Sequence, residues 1–420
     1  MFQWASELFP LPRSLSGDGV RETLLYLQKI IPNLVIKEIP SGSPAGDWIV
    51  PDEWNVREAW VADHTGRKII DFAKSNLQLV GYSVPFSGKM TREELEGHLH
   101  SLPEQSDAIP YVTSYYERRW GFCLTQNQRD QLGDGPFTVH IDSDLSPGSL
   151  TYGELVIEGE SSKEVLLSTY VCHPSMANNE LSGPVVATAL ARWLTNLGKR
   201  KHTYRVLFLP ETIGAISYLS EHVEYLKDHV VAGWVLTCIG DDREYSYVPS
   251  RLGGSLADRI SRRVLETLPD GFVEYSFLDR GSDERQWCAP GVDLPVCSVM
   301  RSKYGAYPEY HTSLDNLDVI SPAGLRGGFE VIQRCIEILE KNSFWMATTL
   351  GEPQMGKRGL YSTISVKNSA ASAREKMNVL AYCDGQHDNE LIQAQTGLSA
   401  EQTSAILDTL LAEGLIRENI

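Results

Sequence analysis

Three short segments carry residues that can hold a metal ion or move a proton. The first is Cys172-His173-Pro174-Ser175, running on through Ala177-Asn178-Asn179-Glu180-Leu181-Ser182-Gly183. The second is Pro210-Glu211-Thr212-Ile213-Gly214. The third is Tyr307-Pro308-Glu309-Tyr310-His311-Thr312-Ser313-Leu314-Asp315. A catalytic zinc ion takes three protein ligands from His, Asp and Glu and keeps a fourth position for water. His173, Glu180 and His311 supply such a set. The ion would lower the pKa of its water from about 16 to about 7. Glu211 would be the general base that takes the proton and hands it to a leaving amine. Asp315, four residues after His311, is placed to accept from the other imidazole nitrogen and fix its tautomer. A histidine at a strand end can equally be a hydrogen-bonded loop residue, and a glutamate there a cap or an ion-pair partner. Three such segments together argue for a metal site.

The elements that must position these segments follow from the hydrophobic pattern. Between about 150 and 345, apolar runs at 165–172, 204–209, 231–239 and 294–300 alternate with amphipathic runs at 184–197, 213–226, 255–268 and 323–339. Strands alternating with helices predict a parallel or mixed sheet covered on both faces. Ligands then bind beyond the carboxyl ends of the strands. Each of the three segments lies beyond the carboxyl end of such a strand. Near the N-terminus, residues 14–38 read as a capped helix and a strand. Residues 41–145, rich in Trp, Pro, Gly and Asp, read as an inserted, mostly β module, so the α/β domain comprises 1–40 and 146–348. Trp48, Trp54 and Trp60 are either the core of that module or a platform for substrate. The stretch 351–359, with three Gly and one Pro, reads as a linker. Three short helical patterns at 373–382, 389–396 and 400–412 outline a winged-helix-like module within 349–420.

The densest polar run of the α/β region is Asp279-Arg280-Gly281-Ser282-Asp283-Glu284-Arg285-Gln286. Asp283 or Glu284 can hold a substrate ammonium, and Arg280 or Arg285 can fork onto a carboxylate or a tetrahedral oxyanion. Arg301 and Tyr307 offer further donors near His311. The alternative is a solvated loop with internal ion pairs, and for the tyrosines ordinary packing.

Composition limits the partners. The 420 residues include 38 Lys and Arg against 55 Asp and Glu, a net charge of −17, which disfavours nucleic acid and anionic lipid. The helix expected at 400–412 has no Lys or Arg, so the winged helix is expected to contact protein and not DNA. No apolar run reaches the roughly 20 residues that span a bilayer, and the first ten residues lack the basic and apolar regions of a signal peptide. The seven cysteines contain no CxxC pair and sit mostly in apolar runs, which points to reduced thiols and a cytoplasmic protein.

In order and spacing, the His, Asn-Asn-Glu-Leu-Ser-Gly, Glu-x-x-Gly and Tyr-His-Thr-x-x-Asp elements resemble the zinc exopeptidase superfamily of metallo-aminopeptidases and carboxypeptidases. Together with 280–286, they resemble more closely the bacterial aminopeptidase-like proteins labelled as polysaccharide-biosynthesis proteins, over nearly the whole chain. The resemblance implies an α/β fold with a mixed sheet sandwiched by helices, an inserted β module and a C-terminal winged helix. It also marks departures. Where two-zinc aminopeptidases carry a bridging Asp, a second Glu and a further Asp, this chain has Asn179, Thr212 and Thr237. Losing three anionic ligands leaves room for one Zn2+ ion, with Glu180 as its carboxylate and Asn179 as the fallback. The implied protein is a mononuclear zinc amide hydrolase acting on a small peptide or N-acyl amino compound. The alternatives are a deacylase of glycan or natural-product assembly, and a non-hydrolytic binding module. The insert would overhang the site or form a subunit contact, the latter giving a homo-oligomer.

Overall fold

A computed structural model describes residues 1–360 and 369–418. The main sheet has eight strands: β1 (Val35–Pro40), β2 (Ser149–Ile157), β3 (Glu164–Tyr170), β4 (Thr203–Leu209), β5 (Val230–Val235), β6 (Ser246–Val248), β7 (Val273–Glu274) and β8 (Val296–Met300). Their order is β1-β2-β4-β3-β5-β8-β6-β7. The central four, β4, β3, β5 and β8, are parallel. β1, β2 and β6 run antiparallel to their inner neighbours. Every residue of β3 is buried, as a strand covered on both faces requires. The helix Ile213–His229 packs Ala215, Tyr218, Leu219 and Leu226 against Leu166, Leu207, Leu209 and Val235. Because β4, β3, β5 and β8 point the same way, His173, Glu211, Thr237 and Arg301 all leave the sheet at one rim.

The insert is a four-stranded antiparallel sheet in the order Lys68–Asp71, Glu53–Ala62, Phe137–Ser146, Phe86–Met90. Its apolar face does not close on itself. Val61, Ile70, Phe137, Val139 and Ile141 share one hydrophobic cluster with Tyr170, Cys172 and Ile213 at the sheet rim. The insert therefore buries its core against the strand ends that carry the site. Trp54 belongs to this core, stacked on Tyr82 at 5.8 Å with its Nε1–H on the Ser83 carbonyl.

The chain divides into two compact units, Met1–Cys335 and Ile336–Ile420. In the second, helices Ser369–Ala381, Asn389–Thr396 and Ala400–Ala412 pack on a sheet ordered Asp384–Asp388, Phe344–Ala347, Ile416–Glu418. This corrects the expected boundary at 348/349. Phe344–Ala347 is the central strand of the C-terminal sheet, paired on both sides. The expected linker is not a linker either, since Met355 is buried in the core of that unit with Val379, Ile392 and Leu410. Residues 361–368 and 419–420 of the expected module lie outside the described residues. Among the described residues, no helix is long and apolar enough to cross a membrane.

Candidate active site

His173 leaves the end of β3 almost completely buried, 2 % exposed. Its Nδ1 lies 2.9 Å from Glu180 Oε2, and its Nε2 lies 3.6 Å from Glu211 Oε2. The ring is thus held between two carboxylates that approach opposite nitrogens. Glu180 comes from a single π turn, Ala177–Leu181, that opens the helix Ser182–Asn196. Behind it stands Arg13, whose Nε donates to the His173 carbonyl at 2.9 Å and lies 3.6 Å from Glu180 Oε1. Neither the Arg13 nor the Glu180 side chain is exposed. Burial alone would lower the pKa of His173, but the Glu180 hydrogen bond and the charges of Glu180 and Glu211 outweigh it and raise the value. Burial raises the pKa of Glu211, with His173 and Arg285 pulling it back.

His311 is set on a strained backbone, φ 56°, in the loop after β8. Its ring centroid lies 5.4 Å from that of His173. With a zinc–nitrogen bond of about 2.1 Å and a ring nitrogen about 1.2 Å from the centroid, two imidazoles can share an ion at centroid separations up to about 6.5 Å. The observed spacing lies inside that limit. His311 Nε2 is buried without a partner among the described residues. Burial first, and then the neighbouring His173, lower its pKa to about 3, which keeps the ring neutral and free to ligate. Tyr310 stacks on the ring at 3.9 Å, and Tyr111 of the insert meets it edge-on at 5.3 Å while also packing on His173 at 5.2 Å. The insert fixes this loop through its backbone. Tyr111 N–H donates to the His311 carbonyl at 2.9 Å, and Ser313 N–H donates to the Ile109 carbonyl at 2.8 Å.

The three neutral replacements are tied into the protein. Asn179 Nδ2 donates to the Tyr170 hydroxyl at 2.8 Å, that hydroxyl pairs with Thr237 Oγ1 at 2.5 Å, and Thr237 Oγ1 donates to the Asn179 carbonyl at 3.1 Å. Asn179 Oδ1 remains buried with no partner among the described residues. Thr212 has φ 65°. Its N–H donates to Asp283 Oδ1 at 2.8 Å, and its hydroxyl accepts from Arg285 Nη2 at 2.7 Å. Burial, and then the charge of Glu211, push Asp283 up to about 8.

Several expected site residues are placed differently. Asp315 does not back His311. It accepts from the Asn178 and Asn179 amides at 2.7 and 2.9 Å and from the Tyr307 hydroxyl at 2.8 Å, so both residues serve the turn that carries Asn179. Arg280 is exposed and packs on Phe277, and Arg301 packs on the Tyr245 ring at 4.0 Å, so their contacts lead away from the histidines. Glu180, expected as the third ligand, instead orients His173 from behind. An ion on His173 Nε2 lies across the ring from a carboxylate on Nδ1, so Glu180 and His173 cannot both ligate it in this arrangement. Arg13, Tyr111 and Tyr115 had not been expected at the site, and no spacing rule points to them. Arg13 is 160 positions from the histidine it holds.

The residues fit a metal ion on one side of His173 only. Cys172, His173 and Glu180 offer ligand atoms within 4.8 Å of one another. However, Arg13 already faces that carboxylate, and burial raises the Cys172 thiol well above its ordinary value. His173 Nε2 faces the Glu211 carboxylate, and the His311 ring stands 5.4 Å from the His173 ring, donor types suited to zinc. Of the seven non-glycine residues with positive φ among the described residues, Ser175, Thr212 and His311 lie within two positions of His173, Glu211 or His311 themselves. Tyr115 and Cys238 adjoin the same group. Strain gathered in this way marks a functional site.

Residues 2–342 match the family described as a domain of unknown function, DUF4910, and residues 343–418 match a winged helix-turn-helix family. A Clostridium acetobutylicum protein, provisionally named a polysaccharide biosynthesis protein with an aminopeptidase-like domain, is 45 % identical over 365 residues, 87 % of this chain and 83 % of that one. A crystal structure from the same organism, of a protein provisionally named a peptidase, is similar with TM-score 0.83 and 41 % identity, over 99 % of this chain and 95 % of that one. The zinc aminopeptidase BSAP of Bacillus subtilis gives TM-score 0.56 at 12 % identity, over 80 % and 93 % of the two chains. An M28 peptidase precursor from Shewanella amazonensis gives 0.56 at 13 %, over 81 % and 92 %. At such identities the last two likenesses are of fold: the α/β unit is aminopeptidase-like, with a winged helix after it.

Proposed function

The chain belongs to the DUF4910 family, and on that premise we propose that it is a mononuclear zinc amide hydrolase of aminopeptidase type, acting on a small peptide or an N-acyl amino compound. The observation that carries this reading is the His173 ring held between Glu180 and Glu211, with the unpartnered His311 ring 5.4 Å away. His173 and His311 would hold the ion, and the unpartnered Asn179 Oδ1 is the third candidate ligand in place of Glu180. When bound, a zinc ion polarises a carbonyl and makes hydroxide available near neutral pH. Glu211 takes a proton from the attacking water at Oε2 and returns it to the leaving nitrogen. Its burial-raised proton affinity suits both halves of that task. Glu180, braced by Arg13, keeps the proton of His173 on Nδ1, so that Nε2 presents a lone pair. Asp283 holds the strained Thr212 amide and so fixes the turn carrying Glu211. Arg285, bonded to Thr212, is the cation available to a tetrahedral oxyanion.

The neutral Asn179–Tyr170–Thr237 network favours a second reading, a module that binds without hydrolysis. Zinc-loaded protein assayed on aminoacyl anilides and N-acyl amino acids separates the two. Turnover that vanishes in Glu211→Gln while one zinc stays bound supports the hydrolase. One bound zinc with no turnover on either substrate class supports the binding module. For the C-terminal unit we read a protein contact and not a DNA reader, because the helix Ala400–Ala412 carries Glu401 and Asp408 and no Lys or Arg. Tight, salt-sensitive DNA binding by the full chain would overturn that assignment.

A further inference from the structure

Most exposed large apolar residues of the first unit are scattered, but three form one patch. Trp48 is 44 % exposed, Ile49 59 % and Tyr116 50 %. The Trp48 and Tyr116 rings lie 6.0 Å apart, and the Tyr116 hydroxyl donates to the Ile49 carbonyl at 2.9 Å, tying two separate segments of the insert together. The patch adjoins the site from two directions. The hairpin that carries Trp48 packs on the helix that follows Glu211: a Cβ at Gly46 would meet Ile216 Cγ2 at 3.5 Å, and Ala45 belongs to the same hydrophobic cluster as Ile213. Tyr115, preceding Tyr116, is held at φ 43° and lies within electrostatic reach of Tyr111, Glu211 and Arg285. An exposed apolar surface continuous with a buried polar site is the arrangement that receives a ligand with a polar head and an apolar arm.

We propose that Trp48, Ile49 and Tyr116 form the subsite for an apolar arm of the substrate, so that the hydrolase acts on amides whose acyl or side-chain portion is long and apolar. This rests on the hydrolase reading for the position of the polar head. The occupant argued for is the substrate's own arm, because the patch is joined to the site through Tyr115 and through the hairpin on the Glu211 helix. Each CH2 buried on such a surface is a several-fold gain in affinity.

The test compares short and long probes on the full chain. Acetohydroxamate and hexanohydroxamate are titrated calorimetrically into zinc-loaded protein, and N-acetylglycine and N-hexanoylglycine into metal-free protein. The six-carbon probe of each pair is expected to bind at least tenfold more tightly. Trp48→Ala with Tyr116→Ala is expected to abolish that gain while leaving the binding of the two-carbon probes unchanged and the melting temperature lower by only a few degrees. Tyr116→Phe, which keeps the ring, should keep most of the gain. No length-dependent gain in the wild type, or a gain that survives the double variant, overturns the proposal. If neither hydroxamate binds, the metal reading falls and the acylglycine pair alone decides the subsite. A dimer that dissociates in the double variant with the gain intact reassigns the patch to a contact between copies of this chain.

Discussion

The sheet rim supplies His173 and Glu211 from strand ends and Glu180 from the turn behind them, all groups that carry charge or a proton. The insert supplies Tyr111 and Tyr115, which stay neutral, together with the backbone bonds that hold the His311 loop. The rim groups sit at the ends of paired parallel strands, and the hydrogen bonds on His173 come from Glu180 and Arg13, outside the insert. His311 is different. It lies in a loop well past the end of β8, held by residues 109–111 of the insert and by the bonds of Asp315 to the turn carrying Asn179. Proton chemistry and site assembly thus belong to separate parts of the chain, and single substitutions should separate them.

The largest effect is expected on the rim. Glu211→Gln should lower kcat by about 10²–10⁴-fold while zinc content by elemental analysis stays at one per chain. Equal turnover in the variant would break the division at its first step. Next comes the brace behind His173. Arg13→Met leaves Glu180 as a buried, uncompensated carboxylate, and breaking such a pair costs about 3–5 kcal/mol. A urea midpoint that falls accordingly, and recovers in Arg13→Met with Glu180→Met, would show that the charge and not the volume matters. The double variant should also bind zinc about 10–100-fold more weakly, because nothing then fixes the His173 tautomer.

The insert predicts a smaller and different signature. Tyr111→Phe keeps the ring against both histidines and loses only the hydroxyl, which interacts with that of Tyr115. The expected loss is about 1 kcal/mol of stability with zinc affinity unchanged. A fall in zinc affinity comparable to that of the Arg13 variants would mean that the insert contributes to the ion site itself and not only to its assembly.

These two regions also differ in how much of them the sequence reveals. His173 and Glu211 are legible because each ends a long apolar run and strand ends on a parallel sheet converge, whereas His311 is legible only as a residue beyond the last such run, since its approach depends on loop contacts. β6 and β7, only three and two residues long, leave no periodic trace. Arg13 and Tyr111 reach the site through contacts spanning 160 and about 200 positions, and no local pattern encodes those. Asp315 was misread because a carboxylate four residues past a histidine suggests a pair, whereas the buried Asn178 and Asn179 amides had the stronger need of an acceptor. Glu180 was taken for a ligand because spacing does not show on which nitrogen of His173 a carboxylate lies. Phe344–Ala347 was missed as a strand because its partners lie some 40 and 70 residues further on.

The last effect is a change of slope with pH in the metal-free protein, and it sets one rim-side group against His311. Asp283 keeps its proton in the fold up to about 8, against 3.8 in the unfolded chain. The folded state therefore binds more protons between those values, and this contribution to stability is full below about pH 4 and is lost as pH rises through 8. His311 acts in the opposite sense. The unfolded chain protonates it at 6.5 and the fold only near 3, so its contribution is full above pH 6.5 and is lost as pH falls toward 3. Asp283→Asn keeps an oxygen to accept from the Thr212 amide and removes only the first term. Urea midpoints at pH 5 and pH 8 should then show the variant gaining on the wild type at the higher pH. Parallel midpoints would mean that Asp283 is ionised at neutral pH and that Glu211, the charge acting on it most strongly, holds the proton instead.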